Sequence, residues 1–133
     1  MSIPVVPGVM PLPDNTILFR DEVEFAWTNI VPDKPDETLV LAATYNANQQ
    51  ELTAMLQRRR WFFDSTDRGR SGFAIIPPAA IDATVTFRSR PCEHLTRAAL
   101  HSYAEAVLMC VGRLHDSGDA AIRHLFDPAV SLT

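Results

Sequence analysis

Two histidines and a glutamate in the C-terminal half have the types and spacing to bind a metal ion or transfer a proton. His101 and Glu105 are four residues apart, and His94 lies seven residues before His101. On an α-helix all three would share one polar face. However, His94 would lie about 10 Å from His101 along the helix axis, so one ion could not bind both without a third element. The spacing therefore favours a solvated helix face over the alternative, a metal or acid–base site.

A second candidate is an arginine-rich set, in which Arg58 and Arg60 precede Trp61 and are followed by Arg68 and Arg70. Guanidinium groups pair with phosphate or carboxylate oxygens, and an indole ring can stack on a nucleobase. A net charge of −4 nevertheless makes general nucleic-acid binding unlikely. Internal ion pairs or an arginine-rich protein interface explain the set better, and an anion-binding site is the alternative.

Motifs for other chemistry are absent from the sequence. The polar segment 64–72 lacks the Gly-Lys-Ser/Thr ending of a phosphate-binding loop, and no serine nucleophile elbow occurs. We therefore predict no cofactor. Cys92 and Cys110 are expected at the start and middle of one helix, about 27 Å apart, which is too far for a disulfide. Cys110 is predicted to lie in the core and Cys92 at a helix N-terminus, where the dipole can lower a thiol pKa.

Composition restricts the class of protein. The chain has 133 residues, of which 47% are hydrophobic and 21% charged, as in one ordinary globular domain. The longest apolar run is only six residues, 106–111, whereas a membrane-spanning helix needs about twenty. The first residues contain prolines and no early lysine or arginine, unlike a signal peptide. We expect no membrane association and a cytoplasmic protein.

Charge is unevenly distributed along the chain. Residues 1–55 contain eight acidic and two basic residues, whereas 57–90 contain seven arginines and three aspartates. Intramolecular pairing of the acidic third with the basic middle explains this asymmetry most simply. The alternative is that two copies dock acidic face to basic face.

The first thirteen residues are predicted to form an extended arm before a single α+β domain at 14–133. Prolines at 4, 7, 11 and 13 exclude a helix, and the residues between them include large apolar side chains that disordered tails usually lack. The arm is therefore expected to cover an apolar surface, belonging either to its own domain or to a neighbouring subunit or partner.

The first half of the domain gives three further expectations. Alternating apolar residues within 15–31 favour a strand, although part of the pattern also fits a helix. The run 38–45 is apolar on both faces and is predicted to be a central strand. Asn48 and Glu51 resemble a helix capping box, and Leu52, Met55 and Leu56 follow at helical spacing, which predicts a helix ending near residue 63.

The second half predicts strands at 73–76 and 81–88, the latter stopped by Pro91, and a long helix at 93–115. A break at 117–119 precedes a short helix at 120–126 capped by Asp119. The resulting fold class is α+β: an antiparallel or mixed sheet of three to five strands packed on one long C-terminal helix and one shorter central helix.

These observations rank two functional hypotheses. The first is a small non-catalytic protein-interaction or assembly domain that self-associates, because the apolar arm and the charge asymmetry suggest an interface. The second is a small enzyme or ligand-binding domain that uses the His/Glu helix face or the arginine-rich loop. A protein partner or homo-oligomer is therefore expected.

Overall fold

A computed structural model describes residues 8–28, 30, 37–64, 70–75 and 84–127 of the chain. Within this part the chain forms seven strands followed by two helices. The elements in order are β1 (Asn15–Leu18), β2 (Glu22–Trp27), β3 (Glu37–Asn46), β4 (Glu51–Asp64), β5 (Arg70–Ile75), β6 (Thr84–Thr86), β7 (Arg90–Pro91), α1 (Arg97–Asp116) and α2 (Ala120–Phe126).

All strand pairs of the sheet are antiparallel, and the strands follow the order β1-β2-β3-β4-β5. β6 and β7 also pair with β4, at 55–57 and 51–52, whereas β5 pairs with 59–64. These three short strands therefore lie one after another along the same edge of β4. β1 forms the opposite edge of the sheet.

One face of the sheet carries the core. Side chains alternate along a strand, so every second residue of β2, β3 and β4 points to the same side. On that side α1 packs across all three strands. The largest fully buried side chains of this core are Phe25, Leu39, Leu41, Leu52, Leu56, Leu100, Leu108, Ile122 and Leu125.

The fold class is confirmed as α+β with an antiparallel sheet and a long C-terminal helix. The strand prediction for 38–45 is also correct, because β3 lies between β2 and β4. Residues 15–27 form two strands joined by a tight turn, in which the Phe19 amide donates to the Glu22 carbonyl at 2.8 Å. The break after α1 and the short helix capped by Asp119 occur as predicted, with the Asp119 carboxylate accepting from the Ile122 amide.

The predicted central helix is wrong, because β4 occupies Glu51–Asp64. The polar residues before it form a turn instead of a helix cap: the side-chain oxygen of Asn46 accepts from the Asn48 and Gln49 amides, and Gln50 has a φ of 51°. Pairing with β3 over ten residues outweighs the local helical spacing. The expected polar loop at 64–72 is only partly within the described chain: β4 ends at Asp64, β5 begins at Arg70, and residues 65–69 lie outside the described part.

Other boundaries also differ from the prediction. The strand expected at 81–88 is present as β6 at 84–86, and residues 81–83 lie outside the described part. Pro91 does not simply stop a strand, because it pairs with Glu51 in β7. α1 begins at Arg97, four residues later than predicted, since the Thr96 hydroxyl caps it by accepting from the Ala99 amide. The turn expected at 32–36 also lies outside the described residues.

The described part of the arm, 8–13, lies against its own domain. Met10 is buried in the core. The Pro11 carbonyl accepts a hydrogen bond from the Trp27 indole nitrogen at 2.8 Å, and the Val9 amide donates to Asp116 at 3.2 Å. Residues 1–7 lie outside the described part. No helix in that part is long and apolar enough to cross a membrane.

Leu108 provides a test of this core. Its side chain lies fully buried in the middle of α1, so we expect Leu108→Ala to lower the free energy of unfolding by about 2–5 kcal/mol in urea denaturation. Ser102, an exposed residue of the same helix, is the control, and Ser102→Ala should change the free energy of unfolding by no more than about 0.5 kcal/mol. Equal effects of the two substitutions would contradict the packing of α1 on the sheet.

Candidate functional site

The arginine-rich set forms ion pairs within the chain. Because β4 is a strand, Arg58 and Arg60 point to the helix side of the sheet and Arg59 to the other side. The Glu37 carboxylate, whose side chain is only 3% exposed, accepts from Arg58 at 2.9 Å and from Arg60 at 3.3 Å. Arg58 is buried as well, and its Nε atom has no partner among the described residues.

On the opposite face of the sheet, Arg59 pairs with Glu24 at 3.2 Å across the intervening strand β3. Its Nε donates to the Gln57 side-chain oxygen, and both residues are largely buried. Small apolar side chains of β2 and β3, Ala26, Val40 and Ala42, form a second buried cluster on this face. These contacts join the acidic first third to the basic middle within one chain, in agreement with the intramolecular explanation of the charge asymmetry.

The other members of the predicted anion site are not brought together by any described contact. Trp61 lies on β4 and Arg70 begins β5, but their side chains are outside the described part. Arg68 lies outside it altogether. Of the five predicted residues, Arg58 and Arg60 alone have described side chains, and both are engaged by Glu37.

The predicted His/Glu face is divided by the start of α1. His101 and Glu105 lie one turn apart on the helix, but His94 precedes the Thr96 cap and is not helical. The expectation that all three share one helical line is therefore wrong. Within the described ranges, no group of three or more histidine, cysteine, aspartate or glutamate residues could hold a metal ion.

The cysteines also differ from their predicted settings. Both are free thiols. Cys92 lies outside α1, where its amide donates to the Gln50 carbonyl and its thiol to the His94 carbonyl, so the helix dipole argument does not apply. Cys110 is only partly buried, at the edge of a groove between α1 and the β6–β7 segment.

One surface that local sequence patterns do not predict lies at β1, the edge strand nearest the N-terminus. Every exposed large apolar side chain among the described residues comes from the short stretch 9–19. We call this set the N-terminal apolar surface; its members are Val9, Leu12, Ile17, Leu18 and Phe19. These side chains are close in sequence but do not form one face, because Ile17 and Leu18 are consecutive residues of β1 and project to opposite sides of the sheet.

The backbone of β1 contributes to the same surface. Since the Phe19 amide bonds to Glu22, the alternation of an antiparallel ladder also directs the backbone groups of Ile17 and Asn15 to β2. The amide and carbonyl groups of Thr16 and Leu18 then point away from the sheet. No other strand of the described chain pairs with this outer edge.

Contacts at the end of α1 hold the arm in place beside this edge. Asp116 accepts from the Val9 amide and from the His115 ring. Gly8 has a φ of +113°, a backbone conformation that favours glycine, and an added Cβ would require the Asp116 side chain to move. The arm is thus fixed by its backbone and by Met10, while the side chains of Val9 and Leu12 remain exposed.

Comparison with family models, with curated proteins and with solved structures finds no match to this chain.

The buried carboxylate of Glu37 gives a test of the ion pairs. Replacement by glutamine leaves Arg58 as a buried charge without its anion, so Glu37→Gln should lower the free energy of unfolding by about 3–5 kcal/mol in urea denaturation. Arg60 contacts the same carboxylate but is 44% exposed, and Arg60→Gln should cost about 1 kcal/mol or less. If Arg60→Gln lowered the free energy of unfolding more than Glu37→Gln, Glu37 and Arg58 would not be paired in the interior.

Attachment of the arm should depend on the ionisation of Asp116. Hydrogen bonds from His115, and then from the Val9 and Met10 amides, hold the pKa of Asp116 below its ordinary value of 3.8. A lowered pKa means that this stabilisation is present above pH 3.8 and is lost as the pH falls through the lower, folded value. The Val9 amide resonance in NMR should therefore titrate with a midpoint below 3.8.

The control for this titration is Asp116→Asn, which should remove the acid transition of the Val9 resonance and leave residues of β3 unchanged. A midpoint at or above the ordinary value, or a transition that persists in the variant, would contradict the contact between Asp116 and the arm.

Proposed function

We propose that this protein is a non-catalytic interaction domain that self-associates by pairing β1 of one copy with β1 of a second copy. The observation that carries the proposal is the N-terminal apolar surface, which holds all the exposed large apolar side chains of the described chain and lies beside an unpaired strand edge. A free edge with apolar neighbours is a ready template for strand addition.

The register of such a pair follows from the direction of the backbone groups. Only Thr16 and Leu18 direct their amide and carbonyl groups outward, so an antiparallel twofold pair can place Thr16 of each copy opposite Leu18 of the other. This arrangement gives four backbone hydrogen bonds and centres the pair on Ile17. A twofold axis at that point makes the contact self-complementary and closes the assembly at two copies.

Apolar contacts are compatible with this register. Phe19 and Ile17 project on one side of the combined sheet and Leu18 on the other, so apolar groups of both copies can meet on either side of the new strand pair.

The small size of β1 limits the affinity. A contact built on four strand residues and a few side chains falls at the low end of specific interfaces, below about 1,200 Å² of buried surface. The dimer should therefore form and dissociate with concentration, with a dissociation constant on the order of micromolar or weaker.

Self-association can be tested by sedimentation velocity from micromolar to millimolar concentration. Wild type should shift from monomer to dimer, whereas Leu18→Lys should remain monomeric, because the new charge would be desolvated at the pair. The matched control is Thr86→Lys on β6, which also places a lysine at an exposed strand position and should dimerise like wild type. A wild-type monomer at the highest concentration, or unchanged dimerisation of Leu18→Lys, would refute the proposal.

A second variant tests the backbone pairing directly. Proline at position 16 removes the outward amide of Thr16 but no bond to β2, as edge strands tolerate. Thr16→Pro should therefore weaken dimerisation while the monomer keeps its cooperative unfolding. If the variant dimerises normally, the copies associate through side chains alone and not through strand addition.

A further inference from the structure

A cavity of about 450 Å³ lies at the end of the sheet, where the arm, β2 and both helices meet. Its walls include Pro11 of the arm, Trp27 at the end of β2, His115 at the end of α1, and Phe126 of α2. Cavities of this volume typically hold one small organic molecule. Neither the arginine-rich set nor the His/Glu face contributes to it.

The apolar part of the cavity wall consists of aromatic rings that pack against one another. Trp27 meets Phe126 edge to face, with ring centroids 5.2 Å apart, and His115 meets Phe126 in the same way at 5.0 Å. The Trp27 indole nitrogen already donates to the Pro11 carbonyl, so this ring offers its apolar surface and no free donor. Such pre-organised aromatic walls suit a flat or branched apolar group.

The polar side chains that line the cavity differ in whether their hydrogen-bonding atoms already have partners. Asp14 accepts from both the backbone amide and the hydroxyl of Thr28, so its two oxygens are engaged. Asp127 also lines the cavity and has an interaction of its own. By contrast, Arg123 uses only its Nε, which donates to the His115 carbonyl at 2.6 Å. Its two Nη groups have no partner in the part of the chain that the structure describes.

His115 adds a second incompletely satisfied group. Its side chain is about nine-tenths buried, and its Nδ1 faces the Asp116 carboxylate at 3.1 Å. A carboxylate only accepts, so Nδ1 carries the proton and Nε2 is left as the second polar atom of the ring. Among the described residues Nε2 has no hydrogen-bond partner.

We propose that this cavity binds a small carboxylate with an aromatic or branched apolar body. The carboxylate accepts from the two Nη groups of Arg123 in the bidentate geometry that guanidinium favours, and the apolar body packs on Trp27 and Phe126. Nε2 of His115 is available for a hydrogen bond to a polar group of the ligand beside the carboxylate. This binding site is separate from the proposed β1 pairing, although Leu12 borders both.

The experiment compares two probes of the same shape on the full chain, 3-phenylpropanoate and its neutral amide, 3-phenylpropanamide, by NMR titration. The acid should shift the Trp27 indole and Arg123 resonances and bind about ten- to a hundredfold more tightly than the amide, because charge-assisted hydrogen bonds are lost with the neutral probe. Arg123→Gln should abolish this preference, and Arg123→Lys should reduce it by loss of the bidentate contact.

Arg113→Gln is the matched control, because it removes one positive charge from an exposed position on α1 that does not line the cavity. It should leave the preference for the acid unchanged. Equal binding of acid and amide to wild type would overturn the proposal, even if Arg123→Gln does not fold. Shifts confined to the groove beside Arg88 and Arg90 would also overturn it. Leu18→Lys should retain binding of the acid, which separates this result from the outcome for self-association.

Discussion

The alternation of side chains along β4 sets the composition of both faces of the sheet. β4 is fourteen residues long and pairs with β3 on one side and with β5, β6 and β7 on the other. Over residues 51–60, its even-numbered side chains therefore face the helix side of the sheet and its odd-numbered side chains face the other side. Leu52 and Leu56 satisfy this requirement directly, but the same strand continues into three consecutive arginines.

The burial of those arginines follows from this constraint and explains the acidic residues of the neighbouring strands. Arg58 continues the core side of β4 and would be a buried, unpaired charge without Glu37, which lies on the same side of β3. Arg59 has the corresponding partner in Glu24 on the opposite side. A buried charge is tolerated when a counter-ion and hydrogen bonds accompany it. Part of the uneven charge of the sequence thus follows from strand pairing.

The C-terminal end of α1 has a comparable organising role for the N-terminal segment. Gly118, with a φ of +86°, allows the chain to turn directly from α1 into α2. This turn places Arg123 beside the end of α1, where its Nε donates to the His115 carbonyl, while Asp116 accepts from the Val9 amide of the arm. The arm is consequently held by its main chain. Its apolar side chains are divided between the core, which receives Met10, and the surface, which receives Val9 and Leu12.

Local patterns in the sequence determined several elements of this protein. Period-two alternation favoured a strand at β2 and left a helix as the alternative, unbroken apolar character predicted β3 as central, and the glycine and aspartate after α1 predicted the helix break and the cap of α2. The residues of β4 predict a helix, because Leu52, Met55 and Leu56 fit helical spacing equally well, and the ten residue pairs with β3 that favour a strand form only in the folded chain. The sequence also predicts too early a start for α1, which places His94 and His101 on one helix.

The tertiary structure alone decided the rest, because these features join residues distant in sequence. The ion pairs link residues 21 and 35 positions apart, and the cavity draws on the arm, β2, α1 and α2 together. Likewise, the sequence showed that 1–13 is apolar but not which side chains stay uncovered. Whether an apolar side chain is buried depends on what packs against it, and that is a property of the assembled chain and not of its local sequence.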